Sequence, residues 1–557
     1  MIRIVLLLFS IYSLNAQNSN VNNSFIYDNL RNSILIGEID TKYSLNIKPI
    51  PIDNFNENLN NSFKTILKNK NKSIQIKTLG FDYFFEYSSN HPYNRNNGTM
   101  IPNKGYQHIF SPGLFFKLGF LTIQLKPEQH FSENKKFDGF WEDHYPIIWA
   151  RRYRLWNHID MPERHGNSRH NKLTLGQSSI RLNWKKLSLG ISNENIWWGP
   201  SLRNSIMMSN HARGFKHITF NTSEPITTFI GDFEWQVITG RLESSGYTPP
   251  RTDYEYAGTK LYVRKWNQNG EFDDWRYLQG FVVSYSPNLI DGFSIGFSRW
   301  AQMYSALIKG RYFWMKGKPT YFPAFLNLFR SNDRYLDYEQ QTNQAVGIFF
   351  KWLWKNSNAE IYAEFAHNDS KQNLRDLLLD SDHSRAVTVG LQKIFKIQNN
   401  NFKFNWEWTQ MEQNASRLVR NAGSWYEHGY VYDGFTNYGE VLGSSIGPGS
   451  NSHYFSINML KEDKKIGLGL EIIDQDNDFY HEAFASAKDF RRYWKDINLN
   501  ISYDKSFKNF NISSNLIYIR SLNYQWELDD YVQPYYHAGR DVDNFHLNVK
   551  LTYFGNW

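Results

Sequence analysis

Cysteine is absent from all 557 residues. That excludes disulfides, thiolate metal centres, cysteine nucleophiles and a lipid anchor on an N-terminal cysteine. Long apolar runs are missing too. Beyond the first few residues nothing approaches the roughly 20 consecutive apolar residues of a spanning helix, so a bundle of membrane helices is ruled out. Charge of one sign is scarce, with 62 Lys+Arg against 54 Asp+Glu and a formal net charge of +8. This excess permits a basic patch for an acidic polysaccharide or lipid phosphates, but it is no nucleic-acid signature. With 41% hydrophobic and 21% charged residues, a wholly disordered chain is also excluded. What the chain has in quantity is rings: 41 Phe, 35 Tyr and 19 Trp, at a mean hydropathy of −0.60. A water-soluble protein has little reason to combine so many rings with so polar an average.

The N-terminus reads as an export signal. Arg3 precedes the apolar run Ile4 to Phe9, and Leu14-Asn15-Ala16 closes it before Gln17, the layout of a secretory signal peptide over residues 1–16. Losing Arg3 with the leader leaves a charge of +7. Residues 17–75 are Asn-rich and are expected to form an N-terminal periplasmic segment. Within it, Ile52, Phe55, Leu59, Phe63, Ile66 and Leu67 recur at spacings of three and four. They predict a short helix over 52–69, capped by Asp53 or Asn54, with Lys64, Lys68 and Lys70 near its negative end.

From about residue 76 the period becomes two. In Asn401–Thr409 the rings Phe402, Phe404, Trp406 and Trp408 alternate with Lys403, Asn405 and Glu407. Similar β runs occur at Ser178–Trp184, Lys260–Trp266, Gly280–Ser286, Gly347–Trp354, Ala359–Phe365, Ala386–Phe395, Gly467–Ile473 and Asp496–Tyr503, separated by Asn, Gly, Asp and Pro clusters. Their number and aromatic ends predict an all-β fold, a transmembrane barrel over 76–557 with rings toward lipid and polar groups toward the lumen. At about 10 residues per tilted strand this suits roughly 16 to 20 strands. At the C-terminus Phe545, Leu547, Val549, Leu551, Tyr553, Gly555 and Trp557 share one face, an amphipathic strand expected to close the barrel against the first. A chain-terminal aromatic also looks like the signal read by the barrel-insertion machinery. Together these features place the protein in a bacterial outer membrane, among lipids that include lipopolysaccharide.

The densest polar and aromatic stretch runs from Arg151 to Tyr247. At its centre Glu194, Asn195, Trp197, Trp198, Gly199, Pro200, Arg203 and Asn204 assemble the parts of a sugar site. Rings stack on pyranose faces, while amides and charges bond hydroxyls. A girdle pair on a structural turn uses the same residues. Neighbouring Trp residues on a strand point to opposite faces, so at most one would meet a glycan. The carbohydrate-binding candidates are Glu194, Asn195, Trp197, Trp198, Arg203 and Asn204, with Arg203 facing a uronate and Glu194 and Asn195 bonding hydroxyls or bracing the turn.

The block Trp197-Trp198-Gly199-Pro200, followed by Ser209-Asn210-His211-Ala212, resembles the Wzi-type capsule assembly family. Weaker similarity lies at Glu133–Phe140 and Ile446–Asn451, and the resemblance extends from about residue 75 to the end. It implies a barrel of about 18 strands with helices on the periplasmic side. It also implies a lectin-like role in holding capsular or extracellular polysaccharide at the cell surface. A porin or oligosaccharide channel is the alternative on the same architecture.

Enzyme chemistry finds little support. His144, His158, His165 and His170 cluster near Glu142, Asp143, Asp160 and Glu163, but His165 and His170 are five apart and no His-Glu-x-x-His occurs. Gly-x-Ser-x-Gly appears at Gly292–Gly296 and Gly443–Gly447, and neither has the helix a nucleophile elbow needs directly after its serine. The acidic pairs Asp273/Asp274 and Asp529/Asp530 read as loop charges. We therefore expect no catalytic residues, no metal and no cofactor.

Overall fold

A computed structural model of the chain describes residues 24–51, 74–248, 254–263, 274–308, 322–326, 342–368, 374–420, 422–485, 491–507, 509–528 and 539–554. Among the described residues, period-two sequence becomes a closed antiparallel barrel of 18 strands, counting Leu121–Leu125 with Glu128–Ser132, His170–Thr174 with Ser179–Trp184, and Lys216–Thr222 with Ile226–Thr227 as one bent strand each. The first strand, Ile74–Ser88, begins two residues ahead of the sequence boundary. It pairs with the last, Val542–Tyr553, from Phe81 opposite Tyr553 to Ser88 opposite His546, and so closes the wall as expected. The alternation predicted for Asn401–Thr409 holds, with Lys403, Asn405, Glu407 and Thr409 buried toward the lumen. In the Lys495–Ser506 strand, Leu499, Ile501 and Tyr503 are exposed while Asn498 is buried. An apolar outer face over a polar interior is what a barrel needs in lipid. No helix among the described residues is long and apolar enough to cross a membrane.

One predicted run is corrected. Lys260–Val263, the described part of the predicted run Lys260–Trp266, forms no barrel strand. Thr259–Lys260 pairs only with Glu255–Tyr256 in a small hairpin, and Leu261–Val263 has no regular structure. Local alternation there reflects aromatic loop residues, and Leu261 packs under the neighbouring loops. The predicted helix over 52–69, the signal peptide and Trp557 lie outside the described residues. A helix does occur in the N-terminal segment, at Ser24–Leu35.

Short connections such as Gly119-Phe120 and Lys185-Lys186 gather at one end of the barrel, which in this architecture is the periplasmic end. Residues 24–51 plug the lumen. Asp28 is held between Lys403 Nζ at 2.9 Å and Lys465 Nζ at 2.6 Å. Arg31 pairs with Glu360 and donates to the Pro200 carbonyl at 2.8 Å. The Asn46 amide donates to Ser284 Oγ and Ser294 Oγ at 3.1 and 3.0 Å. Burial favours the charged form of Asp28 least, yet the flanking lysines hold it well below the usual carboxylate range.

Long loops gather at the opposite end and fold inward. The helices Pro146–Trp156 and Asn477–Phe484 pack on each other over a core of Trp149, Phe140, Phe479 and Trp526. This core continues downward without a break through Trp425, Tyr426, Phe435 and Trp300 to Met207, Ile206 and Trp198. Trp300 and Phe435 stack face to face at 3.7 Å.

Candidate functional site

Residues 193–215 leave the wall after the strand Leu187–Ser192 and run into the lumen, carrying all six sequence candidates. Ile47–Lys48 of the plug pairs with Trp197–Trp198 as a two-stranded ribbon. The two indoles diverge. Trp198, 1% exposed, donates from Nε1 to Gln236 on the wall at 2.8 Å, while Lys48 Nζ lies 5.0 Å from the ring centre of Trp197, 4% exposed. Burial, with Arg31 and Lys351 nearby, pushes the Lys48 amine down to about 7.

Glu194 is buried against Arg181 Nη2 at 2.8 Å, Ser192 Oγ at 2.9 Å and Gln124 Nε2 at 3.2 Å. Asn195 exchanges bonds with Gln177 and donates to the Ala212 carbonyl at 2.7 Å. Two wall carboxylates then hold the following turn by its backbone. Glu407 accepts from the N–H groups of Leu202, Arg203 and Asn204 and from Tyr362 Oη. Glu364 accepts from the N–H groups of Ser201 and Ile206, both at 3.0 Å. Of the six candidates, only Arg203 keeps much side-chain exposure, at 28%. Its Nη2 meets Glu471 at 2.9 Å and its guanidinium lies 4.1 Å from the Tyr454 ring centre, beside a cavity of about 120 Å³ lined by Asn498, Asn515 and Asn548. Burial alone would lower the Arg203 pKa, but Glu471 raises it above the ordinary guanidinium value.

The structure thus gathers the six candidates in one place, with five of them buried in the filled lumen. Sequence reasoning missed the glutamates that organise them. Glu360, Glu364 and Glu407 were visible only as polar members of strand alternations.

A second site lies at the loop end. A groove of about 830 Å³ runs between the two cap helices and the segments 413–420 and 422–430. Arg151 and Arg154 both reach the one carboxylate of Glu482 at the rim, and Glu427 and Asp478 also line the groove. Arg417 pairs with Asp478 at 3.0 Å, and Tyr430 presents an exposed ring. Burial, with Asp478 and Glu482 close by, pushes Glu427 up to about 8, and burial raises Asp478 to about 6. His428 is lowered by burial to about 4. Of the clustered histidines, His144 Nε2 lies 3.1 Å from the Gln525 carbonyl, while His165, with Nε2 3.2 Å from the Tyr438 carbonyl, and His170, whose ring packs on His130, stay near one another. Among the described residues no group of three or more His, Asp or Glu could hold a metal ion.

A closed antiparallel barrel with an apolar exterior and a lumen occupied by its own loops defines a transmembrane β-barrel of the outer-membrane class. The family model described as capsule assembly protein Wzi matches residues 116–486, and the chain belongs to that family. Among solved structures it is similar to Wzi of Escherichia coli, described as an outer membrane protein involved in group 1 capsule assembly and a carbohydrate-binding β-barrel. The identity is 12%, the TM-score 0.59, and the alignment covers 97% of this chain and 100% of that one. OprD of Pseudomonas aeruginosa (10% identity, TM-score 0.37, 87% and 94% covered) and OprB of Pseudomonas putida (11%, 0.35, 86% and 94%) are more distant. No curated protein sequence matches the chain.

Proposed function

We propose that this protein is an outer-membrane capsule assembly factor that holds acidic capsular or extracellular polysaccharide at the cell surface, by binding rather than by catalysis. Family membership supports the assignment, and one observation carries it. Inward-folded loops and the N-terminal plug fill the lumen with buried side chains, while a groove at the loop end carries three guanidiniums, two of them sharing one carboxylate, and an exposed tyrosine. In this reading Arg151, Arg154 and Arg417 take uronate or other acidic substituents, and Tyr430 offers a face to a pyranose. Glu194, Asn195, Trp197, Trp198 and Asn204 brace the floor, and Arg203 is the one of the six that a sugar carboxylate could reach. Export through a cleaved leader and handling by the barrel-insertion machinery belong to the same proposal. The serines of the Gly-x-Ser-x-Gly matches favour binding over hydrolysis: Ser294 sits within a strand and Ser445 in a loop turn.

The test is an Arg151→Gln/Arg154→Gln double variant in encapsulated cells, beside Arg203→Ala. The expected outcome is parental heat-modifiable barrel with capsule moved from the cell-bound to the shed fraction in the double variant, and a smaller shift for Arg203→Ala. Parental retention by a folded double variant would remove the groove from the proposal.

A further inference from the structure

The barrel wall is notched on one side. Strand His170–Thr174 pairs with Glu128–Ser132 and, among the described residues, with no strand on its other flank. Strand Lys216–Thr222 meets Ser192 no higher than His217, and above that its only ladder partner is Arg241, opposite Lys216. The chain that would bridge this gap turns inward at Asn193, tied down by bonds to the Ser178 and Gly176 carbonyls, and returns at Phe215. A cavity of about 180 Å³ occupies the notch.

Its chemistry is lopsided. Lys172 Nζ and the Arg213 guanidinium carbon lie 5.0 and 2.9 Å from the centre of the same ring, Tyr438, and Lys216 stands beside them. Among the described residues no carboxylate is in ion-pair contact with Lys172, Arg213 or Lys216; the nearby Glu243 pairs with Arg241. Leu173 and Leu175 flank the opening and point outward, 69% and 56% exposed. The height of the notch follows from the ladder. Asn171 is opposite Phe131, whose ring stacks on Tyr106 at 5.7 Å, and Tyr106 is opposite Tyr87. Outward rings of this kind mark the membrane–water interface.

We propose that the notch binds a phosphate group of an outer-leaflet glycolipid. Lys172, Arg213 and Lys216 take the phosphate, and Leu173 and Leu175 lie along the acyl chains. Three cations at the headgroup level of an anionic leaflet, open to lipid and flanked by exposed leucines, match that headgroup in both charge and polarity. The proposal rests on the barrel's placement in the outer membrane and not on the glycan groove.

The full-length protein in neutral phosphatidylcholine nanodiscs would be titrated with bisphosphorylated lipid A and with its dephosphorylated counterpart. The parent should prefer the phosphorylated lipid by about tenfold or more. A Lys172→Gln/Lys216→Gln variant should lose that preference while keeping parental heat-modifiability and cell-bound capsule. Equal affinity of the parent for both lipids, a measurement that needs no variant, overturns the proposal, as does an unchanged preference in the variant. Displacement of bound lipid A by inorganic phosphate reassigns the notch to free anions, and displacement by acidic polysaccharide reassigns it to the glycan. Either result overturns the lipid assignment.

Discussion

Gly199 adopts φ +118°, a conformation side chains rarely take, and a Cβ there would collide with the Glu364 carboxylate. Both constraints arise because the wall glutamates approach the turn closely enough to accept from its backbone. Gly199→Ala should therefore cost about 1–3 kcal/mol, read as a lower denaturation midpoint of the heat-modifiable barrel. A parental midpoint would mean the turn shifts away from Glu364 freely. The Trp-Trp-Gly-Pro turn was legible in the sequence, because Gly and Pro after a β run announce chain reversal. What the turn packs against was not legible. Its acceptors are separated from it by 163 residues for Ser201 and 203 for Asn204, and nothing in local sequence marks a strand glutamate as the anchor of a distant loop.

Among the elements, the helix Ser24–Leu35 escaped notice for a physical reason. It is buried in a polar lumen, so its inward positions include Asp28 and Arg31 as well as Leu30 and Ile34, and a search for a purely apolar stripe passes over it. The loop cap carries the pH dependence. Glu427 and Asp478 have carboxyls raised in the folded state, so their contribution to the cap is largest at low pH and is lost as pH climbs from the ordinary carboxylate range, about 4, through 6 to 8, outweighing the opposite and smaller effect of the lowered His428. Hydrogen-exchange protection of segment 422–430 and of the helix Asn477–Phe484 should be greater at pH 5 than at pH 8.5. Glu427→Gln should flatten that difference. Equal protection at both pH values in the parent would show that these carboxyls ionise without strain on the cap.

For the molecule as a whole, the barrel was the most legible feature, because alternation is a local property that every strand states for itself. Closure of the first strand on the last followed from the amphipathic C-terminal strand. The state of the lumen was not legible, since filling it depends on which loops turn inward. With plug and cap both packed inside, the protein in planar bilayers should show no large steady conductance, unlike a general porin. A stable open level would contradict the packing described. Asp28 grips Lys465, 437 residues further along, and the seam between Ile74–Ser88 and Val542–Tyr553 encloses them both. The N-terminal segment is thus fastened to the last fifth of the chain twice, by charge inside the lumen and by the strand ladder in the wall. Loss of one fastening leaves the other in place, so opening the wall and emptying the lumen are separate events.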